Sequence, residues 1–146
     1  MNHITGHRLS GCLLTLVFLL TSCMGGYNTE KADEIIQKYE DTRSLSADDY
    51  ARALELYEYA MNDALQRIDK IARDSKEKRI SPEQTKEKIA ANIDEINKDY
   101  PNMDKLSDIL RKASEADMGA ETYKKWNSVN SDFEKRALEI LSGCSE

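Results

Sequence analysis

Read from its amino end, the chain offers one unbroken apolar run and then a long series of apolar residues spaced alternately three and four apart. The second pattern is that of amphipathic helices, whose core-facing positions recur about every 3.6 residues. The clearest begins at Ser46, where Ser46 and Asp49 form a capping-box pair with the acid in place of the usual Glu or Gln. Tyr50, Leu54, Tyr57, Met61, Leu65, Ile68 and Ile71 or Ala72 then share one stripe, which predicts a helix to about Lys78. Ser81-Pro82-Glu83-Gln84 predicts the next start: Ser81 caps, Pro82 suits the first helical position, and Gln84 completes a box. Ile89, Ile93, Ile96 and Tyr100 follow on one face, and Pro101 ends or restarts the helix. A further segment carries Leu106, Ile109, Leu110, Ala113 and Ala116 and stops near Gly119. A last helix over 120–142 turns Tyr123, Trp126, Val129, Phe133, Ala137 and Ile140 or Leu141 inward, with Gly143 as its C′ residue. A shorter one over 29–41 offers Ala32, Ile35, Ile36 and Tyr39.

Charge order supports these elements. Acidic residues stand four before basic ones at Glu34/Lys38, Asp63/Arg67, Asp69/Arg73 and Asp74/Lys78, and again at Asp94/Lys98, Asp108/Lys112, Glu121/Lys125 and Asp132/Arg136. That is the stabilising orientation on a helix. No stretch alternates apolar and polar residues with β-branched enrichment, so no sheet is expected. The fold class predicted is all-α: an antiparallel bundle of four to five helices over 29–146, joined by short connections. Length allows one domain and not comfortably two. Charged residues make up 33% and aromatics 7%, with only 6 Gly and 2 Pro, a composition suited to solvated helices. The net charge of -6 argues against a broad electrostatic role in binding nucleic acid or an anionic membrane.

The apolar run changes the picture. After a short polar segment ending at Arg8, residues 9–20 form a core of about a dozen residues, too short to span a bilayer of about 30 Å. It has the length of a signal-peptide core and leads into small residues, Thr21 and Ser22, before Cys23. Leu20-Thr21-Ser22-Cys23 resembles the lipobox of bacterial lipoproteins, an aliphatic residue and two small ones before an invariant Cys. The resemblance covers the first 23 residues. It implies cleavage between Ser22 and Cys23, a thioether-linked diacylglycerol on Cys23, and acylation of the new amine, palmitate being a typical chain. Two or three acyl chains hold a protein stably on a membrane where one does not. An ordinary signal peptide in which Cys23 is incidental, or an uncleaved core segment, is the alternative.

Further implications depend on lineage. In the sorting rule of enterobacterial lipoproteins, Asp after the Cys retains the protein in the inner membrane, so Met24 implies the outer membrane. The style also resembles small lipoproteins of the Bacteroides group, where acidic residues just after the Cys favour surface export. Residues 24–28 contain none, which implies a protein facing the periplasm. The expected organisation is a signal peptide over 1–22, a lipidated Cys and short tether over 23–28, and the helical domain beyond. Met24 to Thr29 can span about 20 Å at roughly 3.5 Å per residue, so the body is expected close to the membrane.

Cleavage would leave 20 basic and 27 acidic side chains, a net charge of -7. It would also remove Cys12 and both histidines, His3 and His7. Histidine-based acid–base catalysis and His-containing metal sites are then excluded. With Cys23 lipidated, Cys144 has no partner for an intramolecular disulfide; it is either an inert thiol or the site of an intermolecular one. No Gly-rich phosphate loop, metal-spaced Cys pair or calcium-loop pattern occurs. No cofactor or metal is expected, and no catalytic residue is assigned.

Two carboxylate clusters, Asp48-Asp49 and Asp94-Glu95, could in principle supply an acid–base pair, but Asp48-Asp49 sits in the first turn of a helix, where negative charge favours the dipole, and a structural role is the expectation at both. Tyr123, Trp126 and Phe133 form an aromatic set that either lines a groove for a peptide, glycan or lipid or forms the seam of the bundle. Tyr59 lies off its helix's main stripe, as an exposed contact residue would.

The leading expectation is therefore a lipid-anchored envelope protein that binds an envelope protein or serves as a structural module. The alternative is a small glycan- or ligand-binding protein or carboxylate-based hydrolase. A self-associating coiled coil is a third reading, which requires apolar seams left uncovered in the monomer.

Overall fold

The computed structural model describes residues 26–143. The expectations for the lipobox, for cleavage at Ser22 and Cys23, and for Cys144 lie outside the described residues. Six helices form and no strand is present among the described residues: α1 (Thr29–Thr42), α2 (Ala47–Glu77), α3 (Pro82–Asp99), α4 (Met103–Lys112), α5 (Glu115–Met118) and α6 (Ala120–Gly143). The chain is all-α, as its periodicity predicts. None of these helices is long and apolar enough to cross a membrane.

The caps explain most boundaries. Ser46 and Asp49 close a full capping box at α2, each side chain accepting from the other's backbone N–H. At α3, Ser81 accepts from the backbone of Gln84 and Pro82 takes the first turn, while the reciprocal bond from the Gln84 side chain is not formed. Pro101 keeps Tyr100 out of the helical region and ends α3. Asn102 then takes the left-handed conformation at φ 68°, which Asn tolerates, and its amide donates to Asp33 at 2.6 Å.

The predicted segment from Pro101 to Gly119 is not one helix. Ser114 forms a second capping box with Asp117, so the chain stops at Lys112 and restarts at Glu115. That break turns Ala116 outward, against expectation, and sends Met118 into the core, where it is 1% exposed. Gly143 differs too: it is the last residue of α6 instead of a left-handed cap beyond it.

α2 is the central element. Besides the expected stripe it buries Ala53, Leu56, Ala60 and Ala64, because helices lie along more than one side of it. α1 runs antiparallel to it, with Lys38 paired to Asp49. α3, α4 and α5 descend it in turn: Arg67 meets Asp99, Tyr100 meets Asp63, and Asp117 lies near Tyr50. Gly119 reverses the chain. α6 then climbs alongside α2 in the same direction, pairing Lys125 with Glu58 and Arg136 with Asn62. Direction thus reverses at α2, at α3 and at α6, while α4 and α5 continue the course of α3, and the α2–α6 contact joins two helices that run the same way.

The main core holds Ala32, Ile35 and Ile36 of α1, Tyr50 to Leu65 of α2, Leu106, Ile109 and Leu110 of α4, Met118, Trp126 and Phe133. Leu54, Leu106 and Leu110 are enclosed on all sides, and truncating any of them to Ala would cost about 2–5 kcal/mol. A second cluster joins Ala60 and Ala64 to Ile96 and Tyr100, with alanines allowing α3 close approach. Farther up, the α2–α3 hairpin has a thinner interior of Ser75, Thr85 and Ile89. Ile89, Ile96 and Tyr100 face inward as expected, but Ile93 is 42% exposed and the Asn92 side chain turns towards the interior instead. Most of the apolar seams meet one another within the chain, while Ile93, Leu138 and Leu141 stay exposed.

Candidate functional site

The densest set of polar and aromatic contacts lies where the amino-terminal tether joins the bundle. α2 presents Tyr59, Asp63 and Arg67 at four-residue spacing, which aligns them along one face. The end of α3 supplies Asp99 and Tyr100, and Tyr27 stands just before Asn28, whose side chain caps α1 by accepting from the Lys31 backbone.

Tyr100 is the hub. The edges of Tyr27 and Tyr59 meet its ring at centroid distances of 5.1 and 6.3 Å, with interplanar angles of 78° and 75°. The Arg67 guanidinium lies 5.8 Å from the ring centroid. The Tyr100 hydroxyl donates to Asp63 Oδ2 at 2.6 Å, and Arg67 bridges Asp63 at 2.7 Å and Asp99 at 2.6 Å. The Tyr27 hydroxyl donates to the Pro101 carbonyl at 2.6 Å, closing the loop between tether and bundle.

The electrostatics favour holding over reacting. Burial, with the Asp63 carboxylate next in weight, pushes the Tyr100 phenol up to about 12. Burial, aided by Asp33 and Asp104, also raises Tyr27 to about 12. The hydrogen bond that Arg67 donates to Asp99 raises its guanidinium above the ordinary value. At neutral pH the two phenols are donors and Arg67 is a fixed cation, which suits these three side chains to clamping the chain together. Beside it opens a cleft of about 450 Å³ lined by Met61, Asn97, Met103 and Ser107 among others.

The other sequence candidates fall apart from this cluster. Trp126 and Phe133 are buried, their rings edge-on to Tyr57 at 5.5 and 6.0 Å, and Tyr123 is half-buried against the same core. A cleft of about 320 Å³ beside Phe133 contains Glu58, Asp132 and Glu139; Glu58 is paired with Lys125 at 2.8 Å. Asp48-Asp49 occupies the first turn of α2, with Asp49 engaged in the cap and with Lys38. Asp94 and Glu95 are exposed on α3, and Glu95 accepts from Asn92 at 3.3 Å. Among the described residues no three acidic, Cys or His side chains are grouped to hold a metal ion.

Sequence reasoning singled out Tyr59 but missed its partners. The Asp63/Arg67 spacing was visible, whereas nothing local marks Tyr27, whose partner lies 74 residues away. No protein-family model, curated protein or solved structure matches this chain.

Proposed function

We propose that this chain is a lipid-anchored helical module of a bacterial cell envelope, held by acyl chains on Cys23 and acting through protein contacts made by the bundle surface. The observation that carries the anchoring is the succession Leu20-Thr21-Ser22-Cys23 after a dozen apolar residues, with the folded body beginning only a few residues later. The outer membrane and a periplasm-facing disposition follow from the residues after Cys23 on the same reading.

The bundle supports a contact role more than a catalytic one. Its aromatic set is spent on packing around Tyr57, and its two most strongly shifted phenols hold the tether. Outside the core, Leu138 on α6 is 68% exposed, the kind of apolar side chain an interface uses. A photo-crosslinking residue in place of the exposed Lys135, one turn before Leu138 on the same face, introduced into the lipidated protein in cells, tests this reading. One reproducible heterologous adduct, lost with Leu138→Asp, is the expected result. Adducts only between copies of the chain would make it a self-assembling element, and none at all would overturn a contact role for α6.

A further inference from the structure

The junction of tether and bundle also determines how an anchored chain sits on its bilayer. Gly26 passes against the Tyr59 ring, where an added Cβ would lie 3.6 Å from the hydroxyl, and Tyr27 is held next to it by Tyr100 and Pro101. Tyr59 lies well inside α2, so the two ends of that helix are about 18 and about 27 Å away at 1.5 Å per residue. Cys23 precedes Gly26 by three residues, a reach of at most about 11 Å. A bundle standing on either end would lift the junction about 18 Å or more from the headgroups, beyond that reach. α2 must instead lie within about 40° of the membrane plane.

The face brought down is chemically suited to that position. Tyr59 is 42% exposed, and Gly26, which lies against it, shares a cleft with Lys31, Arg52 and Glu55. Neither Lys31 nor Arg52 forms an ion pair among the described residues. Phenols settle at the headgroup level of a bilayer, and unpaired cations are drawn to lipid phosphates.

We propose that the face carrying Tyr59, Lys31 and Arg52 is a bilayer-contacting surface on which the body lies side-on, with the phenol among the headgroups and the two cations against phospholipid phosphates. This rests on the anchoring of Cys23. Once cleaved before Cys23, the chain has a net charge of -7 and little attraction of its own for an anionic surface; the tether supplies the local concentration that makes the contact form.

The test uses full-length lipidated protein in vesicles of phosphatidylethanolamine and phosphatidylglycerol, with Cys144→Ser removing the competing thiol. Single cysteines at Glu55, Lys76 and Ser128, marking the waist, the far end of α2 and the outer face of α6, each carry a maleimide fluorophore. Mass spectrometry first establishes the acyl groups on Cys23, and spin-labelled lipids then quench the fluorophores. The Glu55→Cys label should be quenched at least threefold more than the Ser128→Cys label, with Arg52→Glu and Lys31→Glu together reducing the difference. Equal quenching at all three positions, or strongest quenching at Lys76→Cys, would overturn side-on docking while leaving the anchor intact. An unmodified Cys23 would overturn the anchor, and the docking with it.

Discussion

Tyr100 donates its hydroxyl to Asp63 across the α2–α3 contact, and the same Asp63 carboxylate receives Arg67 from one turn farther along α2. The segment before α1 is thereby fastened to the point where α3 ends and α4 begins, since Tyr27 packs edge-on against Tyr100 and bonds to Pro101. The exposed ion pairs in this set contribute little individually, about 0.2–1 kcal/mol each. The buried ring contacts and the two phenolic hydrogen bonds give it its rigidity.

Those phenols set a limit at alkaline pH. Tyr27 and Tyr100 are raised from 10 to about 12, so the folded chain holds their protons more tightly than the unfolded chain does. Their contribution is intact below pH 10 and is lost as pH rises from 10 through 12. Absorbance titration at the tyrosinate band should show at least two phenols ionising late, Tyr50 and Tyr57 also being raised by burial, together with loss of stability; Tyr27→Phe should remove one late phenol. Seven tyrosines titrating together near 10 would refute this.

The cap of α2 answers to acid. Asp49 is lowered from 3.8 to about 2, chiefly by its hydrogen bond from Lys38 and then by Ser46. A depressed carboxylate stabilises the fold at pH values above 3.8, and that stability falls away as pH drops from 3.8 through 2. Asp49→Asn should therefore lower stability at neutral pH and flatten the acid limb of a denaturation profile. An unchanged acid limb would show that the bond to Lys38 is not maintained in solution.

Gly119 makes the reversal between α5 and α6 with φ 78° and ψ 151°, a region nearly confined to glycine. Nothing lies within 4 Å of the place a Cβ would occupy. Gly119→Ala should nonetheless cost about 1–3 kcal/mol in urea unfolding followed by Trp126 fluorescence, entirely through the backbone. Gly143→Ala, also in open space but without a positive φ, serves as the control and should not destabilise.

Asn92 occupies the seam of the α2–α3 hairpin, and its Oδ1 is buried without a hydrogen-bond partner among the described residues. Asn92→Leu should stabilise the chain by about 1 kcal/mol, by removing that acceptor and filling the hairpin interior. Loss of stability would mean that Asn92 provides something a Leu cannot.

Much of this fold was legible in the sequence because its signals are local. Ser46, Ser81 and the Tyr50-to-Leu65 stripe each act within a turn or two of chain. The same reading overlooked Ser114-Glu115-Ala116-Asp117, which repeats the Ser46–Asp49 pattern, because an apolar period ran on across it. Ile93 and Asn92 show another limit: both lie near the edge of the same helical face, and only the position of α2 decides which turns inward. Charge spacing identified helices but not partners. Of eight anticipated pairs, Asp63/Arg67 and Asp69/Arg73 close, while Lys38 and Lys125 reach across to Asp49 and Glu58 on α2. The Tyr27 clamp is the extreme case, built from residues whose proximity exists only after folding.

The most direct test of the account is metabolic labelling with an alkyne analogue of palmitate, followed by membrane fractionation. Cys23 is the only anchored thiol in this account, so the native chain, Cys12→Ser and Cys144→Ser should all be labelled and sediment with membranes. Cys23→Ala should be unlabelled and released. Label persisting on Cys23→Ala, or absent from the native chain, would contradict the anchor and the functional reading built on it.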